Sequence, residues 1–374
     1  MDTGSTDANA RPEDLRRRRA RHRTVGALVA VVAIGAVAAV VREVSTRPEP
    51  PFVLRERPGV AEIVDAVAVE RPGPMAVVGD SVWVVTAGTT TFRRFDATTG
   101  DVQPQPELGP ARNHAVCGIS GGGDTVVAVF CDDSDVAPQR AAIVDADAAR
   151  LRTFAEGGVT ARTAIVTDEA VWLAGTTPSG EGRLVRFDPT SGEVLNTTVL
   201  DGVVPQVLAS GLGSLWLSAV ADEGVGTPEG RLLRIDPEDG SVISTTVVVP
   251  AGPGQPRPPT PSWVVVDDAA VWVAVRGSNV VVLVDPDTAE VTEEVTVGGS
   301  ADRVGSPFIA AGADGLWVRP STRRLLRLDP TTGAITRDLE LQAGGDNAPF
   351  VIAGEHAWLG DHLTGRVLHV ALSR

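Results

Sequence analysis

A four-strand unit repeats along most of this chain, and this repeat constrains the fold more than any other feature. In its clearest copy, residues 164–173 contain two short apolar runs around an Asp-Glu turn, which is typical of a β-hairpin. A third short strand at residues 184–187 leads into the turn Asp-Pro-Thr-Ser-Gly, and residues 194–200 form a fourth run. Both faces of these strands carry apolar residues, so each sheet is expected to be covered on both sides. A repeated sheet of this kind predicts the blade of a β-propeller.

Seven copies of the unit can be aligned through the second strand of the hairpin. Six copies carry a Trp there and one carries Val127. The Trp residues are Trp83, Trp172, Trp216, Trp272, Trp317 and Trp358. Spacings of 44 or 45 residues recur between these positions, which is the period of four-stranded blades. The sequence therefore predicts an all-β fold, a seven-bladed β-propeller of four-stranded antiparallel blades over residues 60–374.

An Asp-containing turn follows the third strand of six copies. Its Asp can accept hydrogen bonds from the backbone two residues on, Pro presets φ, and Gly accepts a positive φ. The turn Asp residues are Asp96, Asp145, Asp188, Asp236, Asp285 and Asp329. Together with the Trp, this gives the motif Trp-(Val/Leu), then (Leu/Ile/Phe)-Asp-Pro-x-(Thr/Ser/Asp)-Gly.

Through this motif, residues 60–374 resemble the YVTN-type and NHL-like β-propellers, a group with streptogramin-lyase-like and quinoprotein-like members. The resemblance implies the propeller fold. The turn that begins at Asp329 looks like the quinoprotein docking repeat, which carries a Trp a few residues later. Here Asp338, Leu339 and Glu340 stand instead, and no cofactor is predicted. No motif of this chain matches the His and Glu of the lyases, so no catalytic residue is carried over.

The two ends of the repeat predict how the ring closes. Residues 61–69 precede the first hairpin and resemble the fourth strands at residues 193–200 and 290–297. The last copy stops at its third strand, residues 367–372. We therefore expect the N-terminal strand to complete the last blade, because a closed ring protects its edges.

The residues before the repeat predict a membrane anchor. Residues 1–23 form a polar tail that ends in a block of Arg, and residues 24–41 contain no charge. Eighteen residues of helix span about 27 Å, enough for a bilayer core. Arg before the segment places the tail in the cytoplasm and the propeller outside, in a single-pass protein of the cell membrane. The alternative is a signal peptide cleaved after residues 36–38; the long tail favours the anchor. Residues 42–59 are predicted to be a Pro-rich linker.

Charge excludes one class of partner. The formal net charge is −15, and residues 1–41 carry seven Arg against four acidic residues, which leaves −18 for the remainder. An acidic exported domain is unsuited to nucleic acid. The propeller is expected to be monomeric.

Cys117 and Cys131 flank a Gly-rich turn on two adjacent predicted strands. In an exported domain this predicts a disulfide; two buried free thiols are the alternative.

Other candidate motifs favour structural roles. Arg precedes the turn Asp by two residues in four copies, which predicts a packed stem with the guanidinium pairing an acid between blades. His356 and His362 flank a strand and are expected on opposite rims, so no metal site is predicted. Residues 118–122 match Gly-x-Ser-x-Gly but enter a hairpin rather than a helix, which disfavours a nucleophile.

The remaining candidates lie where the innermost strands begin, and they vary in type from copy to copy. They are Arg112, His114, Arg162, Gln206, Trp263, Arg303 and Asn347. With the loops at residues 131–140, 176–182 and 222–230, they predict a binding face for an envelope protein or an anionic small molecule; the alternative is that they only cover the loop surface. We predict a binding or scaffold module. The alternatives are a propeller enzyme of the lyase or lactonase kind and a quinone or electron-transfer protein.

Overall fold

The structure is a computed structural model that describes residues 59–106, 115–131, 140–221, 228–249, 259–298, 306–320, 323–341 and 349–372. The chain divides into two units, Met1–Pro51 and Phe52–Arg374, and every described residue belongs to the second. The predicted tail and anchor lie outside the described residues. Within the part that is described, no helix is long and apolar enough to cross a membrane.

Seven sheets make up the described chain, and each contains a blade of four antiparallel strands, as the repeat predicts. Two strands, β1 (Gly59–Val60) and β2 (Glu62–Ala68), precede the first blade. Blade one contains β3 (Pro72–Val78), β4 (Ser81–Thr86), β5 (Phe92–Asp96) and β6 (Val102–Gln103). Blade two contains β7 (Ala115–Gly122), β8 (Thr125–Cys131), β9 (Arg140–Asp145) and β10 (Arg150–Glu156). Blade three contains β11 (Thr160–Val166), β12 (Val171–Thr176), β13 (Gly182–Phe187) and β14 (Val194–Leu200).

The later blades follow the same order. Blade four contains β15 (Val203–Gly211), β16 (Ser214–Ala221), β17 (Gly230–Ile235) and β18 (Val242–Val249). Blade five contains β19 (Thr260–Val266), β20 (Val271–Arg276), β21 (Val280–Val284) and β22 (Val291–Thr296). Blade six contains β23 (Phe308–Gly312), β24 (Gly315–Arg319), β25 (Arg324–Leu328) and β26 (Ile335–Glu340). Blade seven contains β27 (Phe350–Ala353), β28 (His356–Asp361) and β29 (Arg366–Ala371).

The first strand of each blade is innermost, and these strands form a ring, because each contacts the first strand of the next blade from β3 through β27 and back to β3. Seven apolar clusters fill the seven interfaces between blades. The six repeat Trp side chains and Val127 are fully buried, and each packs toward the following blade. Burial of these large side chains between sheets is the main source of stability in the ring.

The N-terminal strand closes the ring, which confirms the prediction. β2 pairs antiparallel with β29, so it forms the outer strand of blade seven. A second contact was not predicted. Gly59, assigned to the linker from the sequence, pairs in β1 with Leu339 of β26, and Val60 pairs with Glu340. The same short segment therefore joins blade six and blade seven, and it covers the outer edge of blade six.

Candidate functional site

The ring has two faces, and different connections between strands form each of them. We call the turn face the one that holds the hairpins between first and second strands and the turns between third and fourth strands. The entrance face is the opposite one, where first strands begin and second strands connect to third strands. In blade three, the turn face includes residues 167–170 and 188–193, and the entrance face includes the start of β11 and residues 177–181.

The turn face is held by the repeated residues. In blade three, Trp172 and Arg186 are cross-strand neighbours, and the guanidinium lies 5.6 Å from the centre of the indole ring. Arg186 donates to the backbone carbonyl of Glu238 in the next blade. Its ion pair is with Glu169 of its own blade, at 3.5 Å. The prediction of an acid pair between blades is therefore wrong for this residue, because the next blade offers carbonyl oxygens of its turn.

The same arrangement recurs in other blades. Arg94 lies 5.2 Å from the ring of Trp83, and Arg234 lies 5.4 Å from the ring of Trp216. Arg234 donates to the carbonyl of Pro286 in the next blade at 2.7 Å. A guanidinium over an indole face gains from the ring quadrupole. The hydrogen bonds of Arg186 and Arg234 to carbonyl groups of the following blade tie their blades to the next one.

The turn Asp residues cap their own turns. Asp188 accepts hydrogen bonds from the amides of Thr190 and Ser191 at 2.9 and 2.7 Å. These bonds to the charged carboxylate lower the pKa of Asp188. The pKa values of Asp96, Asp285 and Asp329 are lowered for the same reason. The carboxylates on this face are therefore occupied in holding the backbone.

Blade two lacks both the Trp and the Arg of the repeat, and an Arg on its outer strand takes the place of the repeat Arg. It carries Val127 where other blades carry Trp, and Ile143 opposite it where four of the other blades carry Arg. Arg152 on the outer strand supplies the cation instead, with Asp124 at 3.1 Å and Asp145 at 3.3 Å. It also reaches the carbonyl of Pro189 in blade three, at 3.5 Å.

Blade seven departs in a way that the sequence reasoning missed. His369 takes the Arg position, stacks on Trp358 with ring centroids 4.4 Å apart, and is fully buried. Its Nε2 lies 2.9 Å from Nδ1 of His356. Burial and the neighbouring His356 lower the pKa of His369, against the opposing effect of Asp65 and Asp96. Aligning the last copy on its Trp would have placed His369 opposite Trp358.

The entrance face is marked by bulges on the innermost strands. Where β7, β11, β15 and β19 begin, the pairing with the second strand shifts by one residue. The residues left outside the register are Cys117, Arg162, Gln206 and Ser262. A bulge redirects a side chain and interrupts pairing, and bulges are frequent next to functional sites.

Three of the seven predicted site residues are described, and their surroundings differ. Arg162 is exposed, between buried Ala161 and Thr163, and has no hydrogen bond or ion pair to another described residue. The Gln206 amide donates to the carbonyl of Val204 at 3.3 Å. Trp263 packs against Phe308 of the next blade, with ring centroids 5.3 Å apart, and it is half-buried. The other four lie outside the described residues: Arg112, His114, Arg303 and Asn347.

The Cys pair also belongs to this face. Cys117 is disulfide-bonded and lies at the bulge of β7, while the backbone of Cys131 ends the neighbouring strand β8, opposite Ala115. The specific bond between Cys117 and Cys131 remains our prediction.

Two cavities lie on the turn face, at the interfaces of blade three. One, of about 440 Å³, lies between blades three and four and includes Glu169 and Glu238. The other, of about 420 Å³, lies between blades two and three and includes Asp124 and Arg152. Asp168 lines both. Among the described residues, no three His, Cys, Asp or Glu side chains are grouped so as to hold a metal ion. Residues 118–122 of the Gly-x-Ser-x-Gly match lie within β7.

Comparisons with known proteins support the fold. No family model and no curated protein matches the chain. Among solved structures, the β-propeller domain of Cps50 (Swd1) from Myceliophteria thermophila has a TM-score of 0.62 at 13% identity, over 84% of this chain and 100% of that one. A chain of a mitotic checkpoint complex has a TM-score of 0.59 at 10% identity, over 86% and 99%. BamB from Moraxella catarrhalis has a TM-score of 0.52 at 15% identity, over 84% and 87%. This chain is a seven-bladed β-propeller.

Proposed function

We propose that this protein is a membrane-anchored, exported binding module that holds a protein partner or a small anionic ligand on its entrance face. The observation that carries the proposal is Arg162. It is an exposed cation at a bulge of the innermost strand, without a described partner, while the repeated Arg186 of the same blade stacks on Trp172 and donates to the carbonyl of Glu238. A cation left unpaired on a rigid scaffold is suited to bind an anionic group.

Neighbouring positions give the face a mixed chemistry. Gln206 stands at the equivalent bulge of blade four, and Arg112 and Arg303 are further cations that the sequence assigns to this face. Cations at the mouth of an acidic domain favour an acidic protein loop or an anionic small molecule over a neutral sugar, since residues 42–374 carry a net charge of −18. One of the similar solved structures is a chain of a mitotic checkpoint complex, which is compatible with a protein partner.

The absence of lysine from the chain allows a sharp test of the proposed face. Arg162→Lys keeps the positive charge and introduces the only lysine. In native envelope, an amine-specific crosslinker should then join this variant to its partner at residue 162. The control is Arg150→Lys, which places a lysine at the exposed start of β10, on the turn face. The proposal that the entrance face is the binding site would be rejected if both variants crosslinked the same protein equally, or if neither variant crosslinked any protein.

The anionic character of the ligand has its own test. Replacing Arg112, Arg162 and Arg303 together by Ala should weaken binding of the crosslinked partner and reduce its salt dependence, because the cations are removed. The fold should survive, since Arg162 lies outside the core. Undiminished binding by the folded triple variant would contradict the proposal.

The location is tested separately from the binding. A reporter that is active only outside the cytoplasm, fused after Arg374, should be active if residues 24–41 place the propeller outside. Activity of a reporter that works only in the cytoplasm would reverse the topology.

Mass spectrometry of the unreduced protein should also recover Cys117 and Cys131 in one linked peptide pair, and two alkylatable thiols would contradict that bond.

A further inference from the structure

Among the described outer strands longer than two residues, those of blades three and four differ from the rest in one property. β14 (VLNTTVL) and β18 (VISTTVVV) contain no charged residue. β2, β10, β22 and β26 each contain at least two. Outer strands present unpaired backbone groups, and charged side chains are a common protection against pairing with another chain. β14 and β18 lack that protection although they have seven and eight residues.

An apolar row runs along the exposed side of each of these two strands. On β14, Leu195 is 53% exposed and Val199 is 44% exposed; on β18, Ile243 and Val247 have the same exposed fractions. An exposed Thr lies between the two members of each row. The residues that alternate with the exposed ones along each strand point to the following blade. On β14, Thr198 lies against the turn at Gly240; on β18, Thr246 donates to the carbonyl of Ala289. We call the two rows together the blade three–four edge.

The chain itself shows that an outer edge of this ring can accept a further strand. β1 pairs in parallel with β26 through Gly59 and Val60, and the amide of Ala61 donates to the carbonyl of Glu340 at 3.0 Å. In the sheets of blades three and four, the described chain provides no such cover for β14 or β18.

Acidic residues at the ends of the edge favour a partner strand with basic ends over a second copy of this chain. Exposed Glu193 precedes β14 and exposed Asp201 follows it, and exposed Glu238 and Asp239 precede β18. A second copy would bring the same acids to the contact, together with the net charge of −18 that residues 42–374 carry. A strand with an apolar centre and basic ends matches the apolar rows, the acids at both ends of β14 and the acids that precede β18.

We propose that the blade three–four edge binds an extended segment of a partner protein, apolar in its centre and basic at its ends, which adds to β14 or β18 as a fifth strand. In this mode of recognition, main-chain hydrogen bonds supply affinity. Specificity comes from contacts between the exposed apolar row and every second side chain of the added strand. The edge runs along the outer strands, whereas Arg162 lies on the innermost strand β11, so this inference stands or fails independently of the proposed function.

The test uses the full chain in detergent and a fluorescent peptide with the centre Val-Thr-Val-Thr-Val and two Lys at each end. The wild-type protein should bind it saturably in a fluorescence anisotropy titration. Replacing Leu195, Val199, Ile243 and Val247 together by Lys should weaken binding at least about tenfold, since charge on the edge opposes strand addition. The control is Thr292→Lys on β22, a strand that already carries Glu293 and Glu294, and binding should be unchanged.

Three further measurements complete the test. A peptide with Pro in place of its central Val should not bind; equal binding would mean attraction by charge alone and would overturn the proposal. Hydrogen exchange of the wild-type protein should show that the peptide protects β14 and β18 most, independently of whether the Lys variant folds; protection elsewhere would overturn it. Light scattering should show a monomer, and a dimer lost in the Lys variant would assign the edge to a second copy.

Discussion

Blade three contains two arginines that illustrate how its two faces differ. Arg186 belongs to the repeat, stacks on Trp172, and donates to the next blade. Arg162 belongs to no repeat, lies at a bulge, and is exposed. The first kind of residue recurs because every interface between blades has the same geometric need. The second kind varies because each blade contributes a different part of one surface. In this propeller, repetition marks structure and variation marks the candidate site.

The largest expected effect comes from opening the ring, on which both faces depend. Deleting residues 60–70 removes β2 and exposes β29, so the protein should aggregate or unfold at a clearly lower temperature. Deleting residues 1–50 leaves every described strand in place and should give a soluble monomer. Thermal unfolding with light scattering compares the two truncations, and equal melting temperatures would contradict closure by β2.

The next largest effect compares two tryptophans from the two faces. Trp172→Ala removes a fully buried side chain between blades three and four and should cost about 3–5 kcal/mol of unfolding free energy. Trp263→Ala removes a half-buried side chain at the entrance face and should cost less. Denaturant unfolding of both variants measures the difference. A larger loss for Trp263 would break the distinction between repeated and varying positions.

A smaller effect tests the exception in blade seven. The unfolded chain protonates His369 near its ordinary pKa of 6.5, whereas the folded protein holds that pKa lower. The unfolded state therefore binds more protons below this pH, and stability should fall as the pH falls from 6.5 toward the lowered pKa. His369→Leu, which copies Leu283 at the same position of blade five, should remove this slope. An unchanged slope in the variant would assign the dependence to other groups.

The smallest effect concerns the turn of blade five. Ala289 has a positive φ of 56° where Gly192 of blade three has 74°. A left-handed conformation strains an L-residue but not glycine, so Ala289→Gly should raise stability by about 0.5–1 kcal/mol. Gly192→Ala is the reverse control and should destabilise, since its Cβ would also lie 2.8 Å from the carbonyl oxygen of Phe154. Chemical denaturation measures both, and a loss on Ala289→Gly would contradict the strain.

Most of the fold could be predicted from the sequence because it depends on local signals that repeat. The Trp of six second strands and the Asp of six turns recur along the chain, spacings of 44 or 45 residues recur between the second-strand positions, and the unmatched strands at the two ends imply closure. β1 could not be predicted, since two residues carry no periodicity and their pairing with Leu339 and Glu340 depends on the completed ring. The contact of His369 with His356 also depends on register between strands.

The candidate site was less predictable for a physical reason. A varying position is recognised by the absence of a pattern, which gives no information on what its side chain contacts. Arg162 and Trp263 were equivalent candidates in the sequence. In the structure, Trp263 is half-buried against Phe308, whereas Arg162 remains exposed. The bulges that separate these cases arise from pairing between strands and have no sequence signal here.

The most direct test of this account compares Arg162→Ala with Arg186→Ala in the same blade. Arg186→Ala should lower the unfolding free energy by about 1–3 kcal/mol, since it removes a cation–π contact and a hydrogen bond to the next blade. At a temperature where it is folded, it should still bind the partner recovered by crosslinking at residue 162. Arg162→Ala should change stability by less than about 0.5 kcal/mol and weaken that binding. Normal binding by Arg162→Ala together with lost binding by folded Arg186→Ala would contradict the division of the molecule into a structural turn face and a binding entrance face.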